Sequence, residues 1–312
     1  MNQVDKVAIC SRSFSKNPFL RERLTKQYKN TKFNDEGLSL EGDALVGFLE
    51  NQDKVICGLE VFNGKILSKL PKLKVISKYG VGTDNLDLDT MANREIRLGW
   101  KGGVNKRSVS ELVLSLTLSL LRLVPQANED LRKGNWNQFK GNLLTGKTFG
   151  IVGYGNTGKD LAELLEPFNC KILIYDVYKI NNNESNRSSQ VSFDSLFKSS
   201  DIISLHLPYN GSTSNLINSK VFSIMKSSSI LINLSRGGIV NEPDLKEALK
   251  NRVISASAMD VFLQEPPNDM ELLNLPNFFG TPHIGGIAIE AIEAMGLAAI
   301  EGLDTNQIPV LR

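Results

Sequence analysis

The amino-acid sequence predicts an α/β protein with two doubly wound parallel-sheet domains and a cleft between them. Two observations lead to this fold class. Short apolar runs rich in β-branched residues alternate with longer segments of helical periodicity, which is the pattern of successive β-α-β units. The chain has 312 residues, and at roughly 150 residues per domain this length allows two domains, each with its own core.

The candidate strands fall into two series, one before residue 100 and one after residue 147. Between them, residues 97–107 contain four cations, two adjacent glycines and no acid, which is typical of a crossing between domains. The polar stretch 181–190 is interpreted as a surface loop. The predicted strands are 7–10, 54–57 and 74–77 in the first series, and 148–152, 171–175, 202–205, 229–233 and 253–258 in the second.

The segment after the crossing predicts a long helix. Ser108 and Glu111 have the spacing of a capping box, so we expect the helix to begin there. Apolar residues cover nearly all of its faces, which predicts burial between domains or against a second subunit. A last helical pattern, at 287–303, is expected to return to the first domain. The predicted domains are therefore a discontinuous 1–101 with 284–312 and a continuous 102–283.

Composition excludes several classes of protein. Lys and Arg number 36 against 34 Asp and Glu, with 41% hydrophobic and 22% charged residues. These proportions exclude a disordered chain, a collagen-like fibre and a strongly basic nucleic-acid binder. No run approaches the roughly 20 apolar residues that cross a bilayer, and the N-terminal apolar run is too short for a secretory signal. We expect a cytosolic protein with no membrane or nucleic-acid partner.

The three cysteines lie far apart and lack metal-ligand spacing. They are Cys10, Cys57 and Cys170. Neither a disulfide framework nor a zinc site is indicated, and free cysteines are among the most buried residue types. We expect three reduced core residues and no metal site.

A glycine-rich turn follows the first strand of the second series. In a strand-to-helix turn of this kind the first glycine makes the tight bend, the second lets backbone approach a pyrophosphate, and the third allows close helix packing. The following helix N-terminus adds free N–H groups and a positive dipole. Domain 102–283 is thus predicted to be a Rossmann-like domain. The turn residues assigned to the cofactor are Gly153, Tyr154, Gly155, Asn156, Thr157 and Gly158.

An acidic residue ends the next strand. Asp176 lies 23 positions after Gly153 (176 − 153), close to the spacing of a ribose-binding acid. A carboxylate there would accept hydrogen bonds from the adenosine ribose and repel a 2′-phosphate. We therefore predict NAD rather than NADP as the cofactor.

Three candidate reactive groups follow strands of the second series. His283 could exchange a hydroxyl proton near neutral pH. Arg236 has a planar guanidinium that suits a carboxylate or 2-keto acid. Glu265 beside an imidazole would fix its tautomer. The second histidine, His206, also ends a strand, and we predict a structural role for it.

Five ordered motifs resemble those of the D-isomer-specific 2-hydroxyacid dehydrogenases, and within that family the phosphoglycerate dehydrogenases most of all. The resemblance runs from about residue 54 to 303. It implies that Arg236 binds the substrate carboxylate, that His283 is the acid/base and that Glu265 pairs with it. The motifs span 74–87, 146–155, 231–240, 260–267 and 281–285.

The resemblance also implies further contacts. Domain 1–101 with 284–312 would be the substrate-binding domain, where Lys78 and the backbone N–H groups of Tyr79, Gly80, Val81 and Gly82 hold the substrate. Asp260 would meet the nicotinamide side, and Thr213 matches a position near the cofactor. The predicted cofactor site also includes Leu207, Pro208, Leu234, Ser235, Arg236, His283 and Gly285.

Two departures from the family pattern matter. Asn156 and Thr157 replace the basic and aliphatic residues usual in the glycine turn, which puts one pyrophosphate contact in doubt. The chain ends at Arg312 without regulatory C-terminal domains, so feedback by serine is not expected.

The predicted reaction is direct hydride transfer between nicotinamide and C2 of a D-2-hydroxy acid. The resemblance implies that Lys78 occupies a position where phosphoglycerate dehydrogenases carry a cation near the substrate phosphate, and Lys101, Lys106 and Arg107 add positive charge. A phosphate-bearing acid, 3-phosphoglycerate/phosphohydroxypyruvate of serine biosynthesis, therefore leads, ahead of glyoxylate or hydroxypyruvate. The alternative is that these cations are solvated linker residues. A rival from another class is an NAD-sensing, corepressor-like binding protein. A homodimer is expected.

Overall fold

The computed structural model describes residues 2–180 and 188–310. It contains two compact units, Met1–Asn105 with Ile289–Arg312, and Lys106–Ala288. Seven residues of the predicted loop 181–190 lie outside the described part, and its last three form a strand. The helices are α1 (Arg12–Lys16), α2 (Pro18–Gln27), α3 (Gly42–Leu49), α4 (Gly64–Ser68), α5 (Leu88–Asn93), α6 (Lys106–Leu121), α7 (Val124–Arg132), α8 (Asn156–Leu165), α9 (Phe193–Ser199), α10 (Ser219–Ile224), α11 (Glu242–Lys250), α12 (Met270–Leu273) and α13 (Ile289–Gly302).

All strands pair in parallel, in two sheets. The first sheet has the order β2-β1-β3-β4-β5 and the second β12-β11-β10-β9-β6-β7-β8. The strands are β1 (Asn2–Ile9), β2 (Tyr28–Phe33), β3 (Lys54–Cys57), β4 (Val75–Lys78), β5 (Arg97–Gly99), β6 (Thr148–Val152), β7 (Lys171–Tyr175), β8 (Ser188–Gln190), β9 (Ile202–Leu205), β10 (Ile230–Asn233), β11 (Ala256–Met259) and β12 (Phe278–Gly280). The predicted fold class, two doubly wound parallel-sheet domains, is confirmed.

The first unit buries both faces of its sheet. Successive residues of β1 alternate between two cores: Ala8 packs in one, and Val7 and Ile9 pack in the other. Burial on both faces explains why these strands consist of continuous apolar runs instead of alternating patterns. Helix α13 packs Ala299 and Ile300 into the second of these cores.

The second unit is also covered on both faces. Phe149 and Ile151 of β6 pack with Val113 and Leu116 of α6. Val152 packs with the opposite core, which includes Leu231 and Met259. The order of the sheet reverses between β6 and β9, and open parallel sheets bind ligands beyond the carboxyl ends of the strands at such a point.

The predicted start of α6 is wrong. The helix begins at Lys106, so Ser108 lies inside its first turn. The Ser108 hydroxyl donates to the Gly285 carbonyl (2.6 Å) and accepts from the Ala288 N–H (3.4 Å), so its bonds are to the segment before α13 and not to the first turn of α6. The helix is buried along one face, while Glu111 and Ser115 are exposed.

The state of the cysteines and the hydropathy of the helices bear on two further expectations. The three cysteines are free and buried, as predicted. Within the described residues, no single helix has the length and hydropathy to cross a membrane. Helices α6 and α7 reach both only if counted as one span, and a bend of 63° separates them.

Candidate active site

The second sheet brings its functional side chains to one edge. All its strands run in parallel, so their carboxyl ends meet there. The glycine turn follows β6, Asp176 follows β7 and Arg236 lies in the loop after β10. Asp260 follows β11, and His283 follows β12.

The glycine turn has the geometry that a pyrophosphate needs. Gly153 has a φ of +94°, and a Cβ there would lie 2.4 Å from the His206 carbonyl oxygen. A Cβ on Gly158 would lie 2.2 Å from the Gly153 oxygen, so close packing of α8 requires glycine there too. A Cβ on Gly155 would meet no atom of the described residues within 4 Å. The open space at Gly155 adjoins the N-terminus of α8 and fits a dinucleotide phosphate.

Asp176 is tied to that turn. Its Oδ2 accepts a hydrogen bond from the Tyr154 N–H (2.7 Å), between the first two glycines. Its Oδ1 accepts from the Tyr178 N–H (2.9 Å). The carboxylate is half-buried, and these bonds fix its orientation beside the turn. The residues present fit NAD, whose ribose hydroxyls would donate hydrogen bonds to this carboxylate.

His283 and Glu265 form a pair. His283 Nδ1 lies 2.7 Å from Glu265 Oε2, and the side chains are 53% and 38% exposed. Glu265 Oε1 accepts from the Phe262 N–H (3.1 Å), so the carboxylate is held by its own loop. Because Nδ1 faces the carboxylate, Nε2 is the nitrogen left to exchange a proton with another molecule.

Asp260 holds the backbone turn that carries His283. His283 has a φ of +54°, in the left-handed region that non-glycine residues rarely occupy. Its N–H donates to the Asp260 carbonyl (2.9 Å). The Asp260 carboxylate, in a residue 1% exposed, accepts from Thr281 Oγ1 (2.6 Å) and from the N–H groups of Ile284 (2.8 Å) and Gly285 (2.7 Å). These bonds hold the turn that carries His283; the predicted contact of Asp260 with nicotinamide stays a prediction.

Arg236 lies in a loop organised by Asn233. The Asn233 amide donates to the Arg236 carbonyl (2.9 Å), and its oxygen accepts from the N–H (3.1 Å) and hydroxyl (2.8 Å) of Ser235. Arg236 Nη1 donates to the Ser235 carbonyl (2.7 Å). A Cβ on Gly237 would lie 1.9 Å from the Phe262 oxygen. The Arg236 loop therefore packs directly on the loop that holds Glu265.

Hydrogen bonds within the loop after β9 hold that loop. The Thr213 hydroxyl donates to the Pro208 carbonyl (2.7 Å) and accepts from the Asn210 N–H (2.8 Å). His206 Nε2 is buried with no hydrogen-bond partner among the described residues. Burial lowers the pKa of His206 to about 4, so its imidazole is neutral near pH 7.

Two predicted substrate contacts in the first unit have internal partners. Lys78 is 6% exposed, and its Nζ donates to the Gly58 carbonyl and to Asn85 Oδ1 (2.8 Å). The prediction that the Tyr79 N–H binds substrate is wrong, because that group donates to the Cys57 carbonyl (2.8 Å) within the sheet. The Tyr79 ring packs edge-on against Phe14. The assignments of Gly80, Val81 and Gly82 stay predictions.

The other cations predicted near a substrate phosphate also have carboxylate partners. Lys101 pairs with Glu301 (3.5 Å) in the first unit. Lys106 and Arg107 both pair with Asp160, at 3.6 and 3.0 Å, in the second.

Sequence reasoning did not identify the residues that hold these loops. Asn233 ends a strand just before the Arg236 motif, and that position was the only available signal. Lys78 was identified but given a different role. The Asn233 bonds stay within its own loop. The Lys78 bond to Gly58 joins segments that are 20 residues apart in the chain, which no local pattern indicates.

Comparison with known proteins identifies the family. The model for the D-isomer specific 2-hydroxyacid dehydrogenase NAD-binding domain matches residues 114–285. The chain belongs to this family of NAD-dependent dehydrogenases, as the sequence motifs predicted, and NAD is its cofactor.

Individual relatives carry different names. The chain is 37% identical over 240 residues to a D-3-phosphoglycerate dehydrogenase of Methanocaldococcus jannaschii, covering 76% of this chain and 46% of that protein. It is 35% identical over 268 residues to a hydroxypyruvate reductase of Thermotoga maritima, covering 84% and 87%. A D-lactate dehydrogenase of Aquifex aeolicus, solved with NAD and lactic acid, superposes with a TM-score of 0.84 at 26% identity, covering 96% and 93%.

Proposed function

We propose that this protein reduces a small 2-keto acid to the D-2-hydroxy acid, or catalyses the reverse reaction, with Arg236, His283 and Glu265 as its reactive groups. The observation that supports this most is the 2.7 Å contact between His283 and Glu265 at the carboxyl edge of the NAD-binding sheet. A half-exposed imidazole oriented by a carboxylate is the arrangement that general acid–base catalysis requires.

Each residue has a distinct part. His283 Nε2 gives a proton to the C2 oxygen during reduction and takes it back during oxidation, while Glu265 keeps the other ring nitrogen oriented. The Arg236 guanidinium binds the substrate carboxylate with two parallel hydrogen bonds. NAD(H), when bound, supplies or takes up the hydride at C2.

We propose an unphosphorylated substrate, in the class of glyoxylate and hydroxypyruvate. Lys78, the cation expected to meet a phosphate, is buried in bonds to Gly58 and Asn85. The Glu60 carboxylate accepts from the Gly58 N–H (2.7 Å) in the same network, and a negative charge there opposes a phosphate dianion. The second candidate remains 3-phosphoglycerate/phosphohydroxypyruvate, which the 37% identity to a phosphoglycerate dehydrogenase supports.

A panel of 2-keto acids tests both statements. Oxidation of NADH is followed by absorbance with purified protein and each of glyoxylate, hydroxypyruvate, pyruvate and phosphohydroxypyruvate. We expect kcat/KM for hydroxypyruvate to exceed that for phosphohydroxypyruvate. A higher kcat/KM for phosphohydroxypyruvate would contradict the unphosphorylated substrate and favour phosphohydroxypyruvate.

The same panel tests the rival function. An NAD sensor that acts by binding other proteins would bind NADH and turn over none of the acids. Turnover of any one acid, abolished by removing the His283 imidazole, would exclude the sensor as the sole function.

We also propose a cytosolic homodimer. Large apolar side chains are exposed on α7 and the segment after it, and Trp136 is 80% exposed. We propose that a second copy of the chain packs against these side chains. Sedimentation equilibrium would measure the proportion of monomer and dimer. Trp136→Ser should shift the equilibrium toward monomer, and a monomeric wild-type protein would contradict the proposal. The exposed side chains are Val124, Leu131, Trp136, Phe139 and Leu143.

A further inference from the structure

The loop after β7 carries the acid proposed to bind the ribose, and it is mostly exposed. Val177 and Tyr178 are each 79% exposed, and the apolar packing of the 176–180 loop comes from the partly buried Ile180 at its end. A loop of this kind is ordered only if its backbone is bonded to a firmer element.

The side chain of Gln190, from β8, provides such bonds. Gln190 pairs with Ile174 in the parallel ladder, so it sits beside the end of β7. Its Nε2 donates to the carbonyls of Asp176 (3.2 Å) and Tyr178 (2.8 Å). Its Oε1 accepts from the Ile180 N–H (3.0 Å). One amide thus bonds the loop at its first, middle and last residues.

These bonds connect to the nucleotide site through Asp176. The Asp176 carboxylate spans the Tyr154 N–H of the glycine turn and the Tyr178 N–H of its own loop. If the loop moved, Asp176 would lose one of these anchors and with it the fixed position beside the turn. The amide of Gln190 and the carboxylate of Asp176 therefore both bond to the backbone of the 176–180 loop.

We propose that Gln190 is a positioning residue for nucleotide binding: it holds the 176–180 loop so that Asp176 faces the adenosine ribose. This inference rests on the proposed role of Asp176. Gln190 itself does not touch the cofactor. Its effect is to keep the binding-competent loop conformation populated before NAD arrives.

Nucleotide binding without any keto acid gives the direct test. Dissociation constants for NADH and NADPH are measured by calorimetry for wild type, Gln190→Ala, Gln190→Glu, Asp176→Ala and the double variant Asp176→Ala/Gln190→Ala. If the loop is competent only a tenth of the time without the amide, the Kd for NADH rises about ten-fold in Gln190→Ala. Gln190→Glu keeps the acceptor for Ile180 but loses both donors, so it should also weaken NADH binding. Ser189→Ala, exposed on the same strand, is the matched control and should bind as wild type does.

Coupling to Asp176 distinguishes positioning from a general structural role. Once Asp176 is alanine, adding Gln190→Ala should weaken NADH binding little further, and Gln190→Ala alone should narrow the preference for NADH over NADPH. An unchanged Kd in Gln190→Ala, or a full ten-fold loss on top of Asp176→Ala, would overturn the inference. An unchanged Kd in Asp176→Ala would instead overturn the role of Asp176, on which the inference depends. Thermal melting of each variant checks the fold.

Discussion

The two units place charged side chains at the carboxyl ends of their sheets in opposite ways. In the first unit, Lys78 is 6% exposed and bonded to Gly58 and Asn85, so its charge joins the loops after β3 and β4. In the second unit, His283 and Glu265 are bonded to each other yet remain 53% and 38% exposed. The charge of Lys78 is used in bonds inside the protein, whereas the His283–Glu265 pair stays accessible to a second molecule.

The difference extends to the supporting residues. The accessible groups of the second unit stand on loops held by buried polar side chains, Asn233 under Arg236 and Asp260 under His283. Fully bonded buried polar groups are rigid supports, and catalytic groups need such support to keep their geometry. We therefore expect changes at His283 and Arg236 to alter turnover, and a change at Lys78 to alter stability.

The largest effect is expected for His283→Ala. Removing the acid/base group should lower kcat by about 10² to 10⁴-fold, because proton transfer loses its positioned partner. The melting temperature should stay near the wild-type value, since the imidazole is 53% exposed. Steady-state NADH oxidation with the best acid of the panel measures kcat, and wild-type turnover in this variant would refute the assignment.

Arg236→Lys should have the next largest effect. Lysine keeps the charge but loses the two-pronged bond to a carboxylate, and charge-assisted bonds are each worth about 1.5–3 kcal/mol. We expect kcat/KM to fall by about 100-fold. Arg122→Lys, at an exposed arginine of the same unit, is the control. Equal losses in both variants would show that the guanidinium has no particular role.

Buried His206 should make the protein acid-sensitive. Its pKa is about 4 in the folded state because of burial, against 6.5 as its ordinary value. The unfolded chain therefore binds the proton first, and stability that is complete above pH 6.5 is lost as the pH falls toward 4. The loss from this group is up to about 3 kcal/mol.

Urea unfolding at pH 7 and pH 4.5 measures this effect. His206→Leu should lose less unfolding free energy between the two pH values than wild type does. Identical losses in the two proteins would contradict the assignment of this sensitivity to His206.

Lys78→Met should have the smallest effect, and only on stability. The variant removes the Lys78 donor from Asn85 Oδ1 and one of the two donors from the Gly58 carbonyl, which keeps its bond from Asn85 Nδ2 (3.2 Å). The loss of a donor to a buried acceptor costs about 1–3 kcal/mol. Urea unfolding measures the loss, and the Kd for NADH should not change. Lys72→Met, at an exposed lysine of the same unit, should stay within about 0.5 kcal/mol of wild type. If Lys78→Met kept full stability while kcat/KM for phosphohydroxypyruvate collapsed, Lys78 would be a substrate ligand after all.

The central strands could be predicted because burial on both faces leaves a plain apolar run. β6, β7 and β9 have the predicted bounds. The edge strands could not be predicted in the same way. β2 is mostly polar with a single fully buried residue, and β8 is Ser-Ser-Gln, because an edge strand has a neighbour on one side only.

The site shows the same division. The reactive residues follow strands in recognisable motifs, so the sequence could nominate them. Long-range bonds, such as those of Gln190 to the 176–180 loop and of Lys78 to Gly58, depend on which strands lie side by side. The start of α6 failed for a related reason, because Ser108 bonds to Gly285, 177 residues away in the chain.

Transfer of deuterium is the measurement that tests the central claim most directly. NADH carrying deuterium at both C4 positions is reacted with hydroxypyruvate, whose reduction creates a stereocentre at C2, and the product is examined by mass spectrometry and chiral chromatography. We predict a D-2-hydroxy acid with one deuterium at C2. A product without deuterium at C2, or one of L configuration, would contradict the proposed reaction.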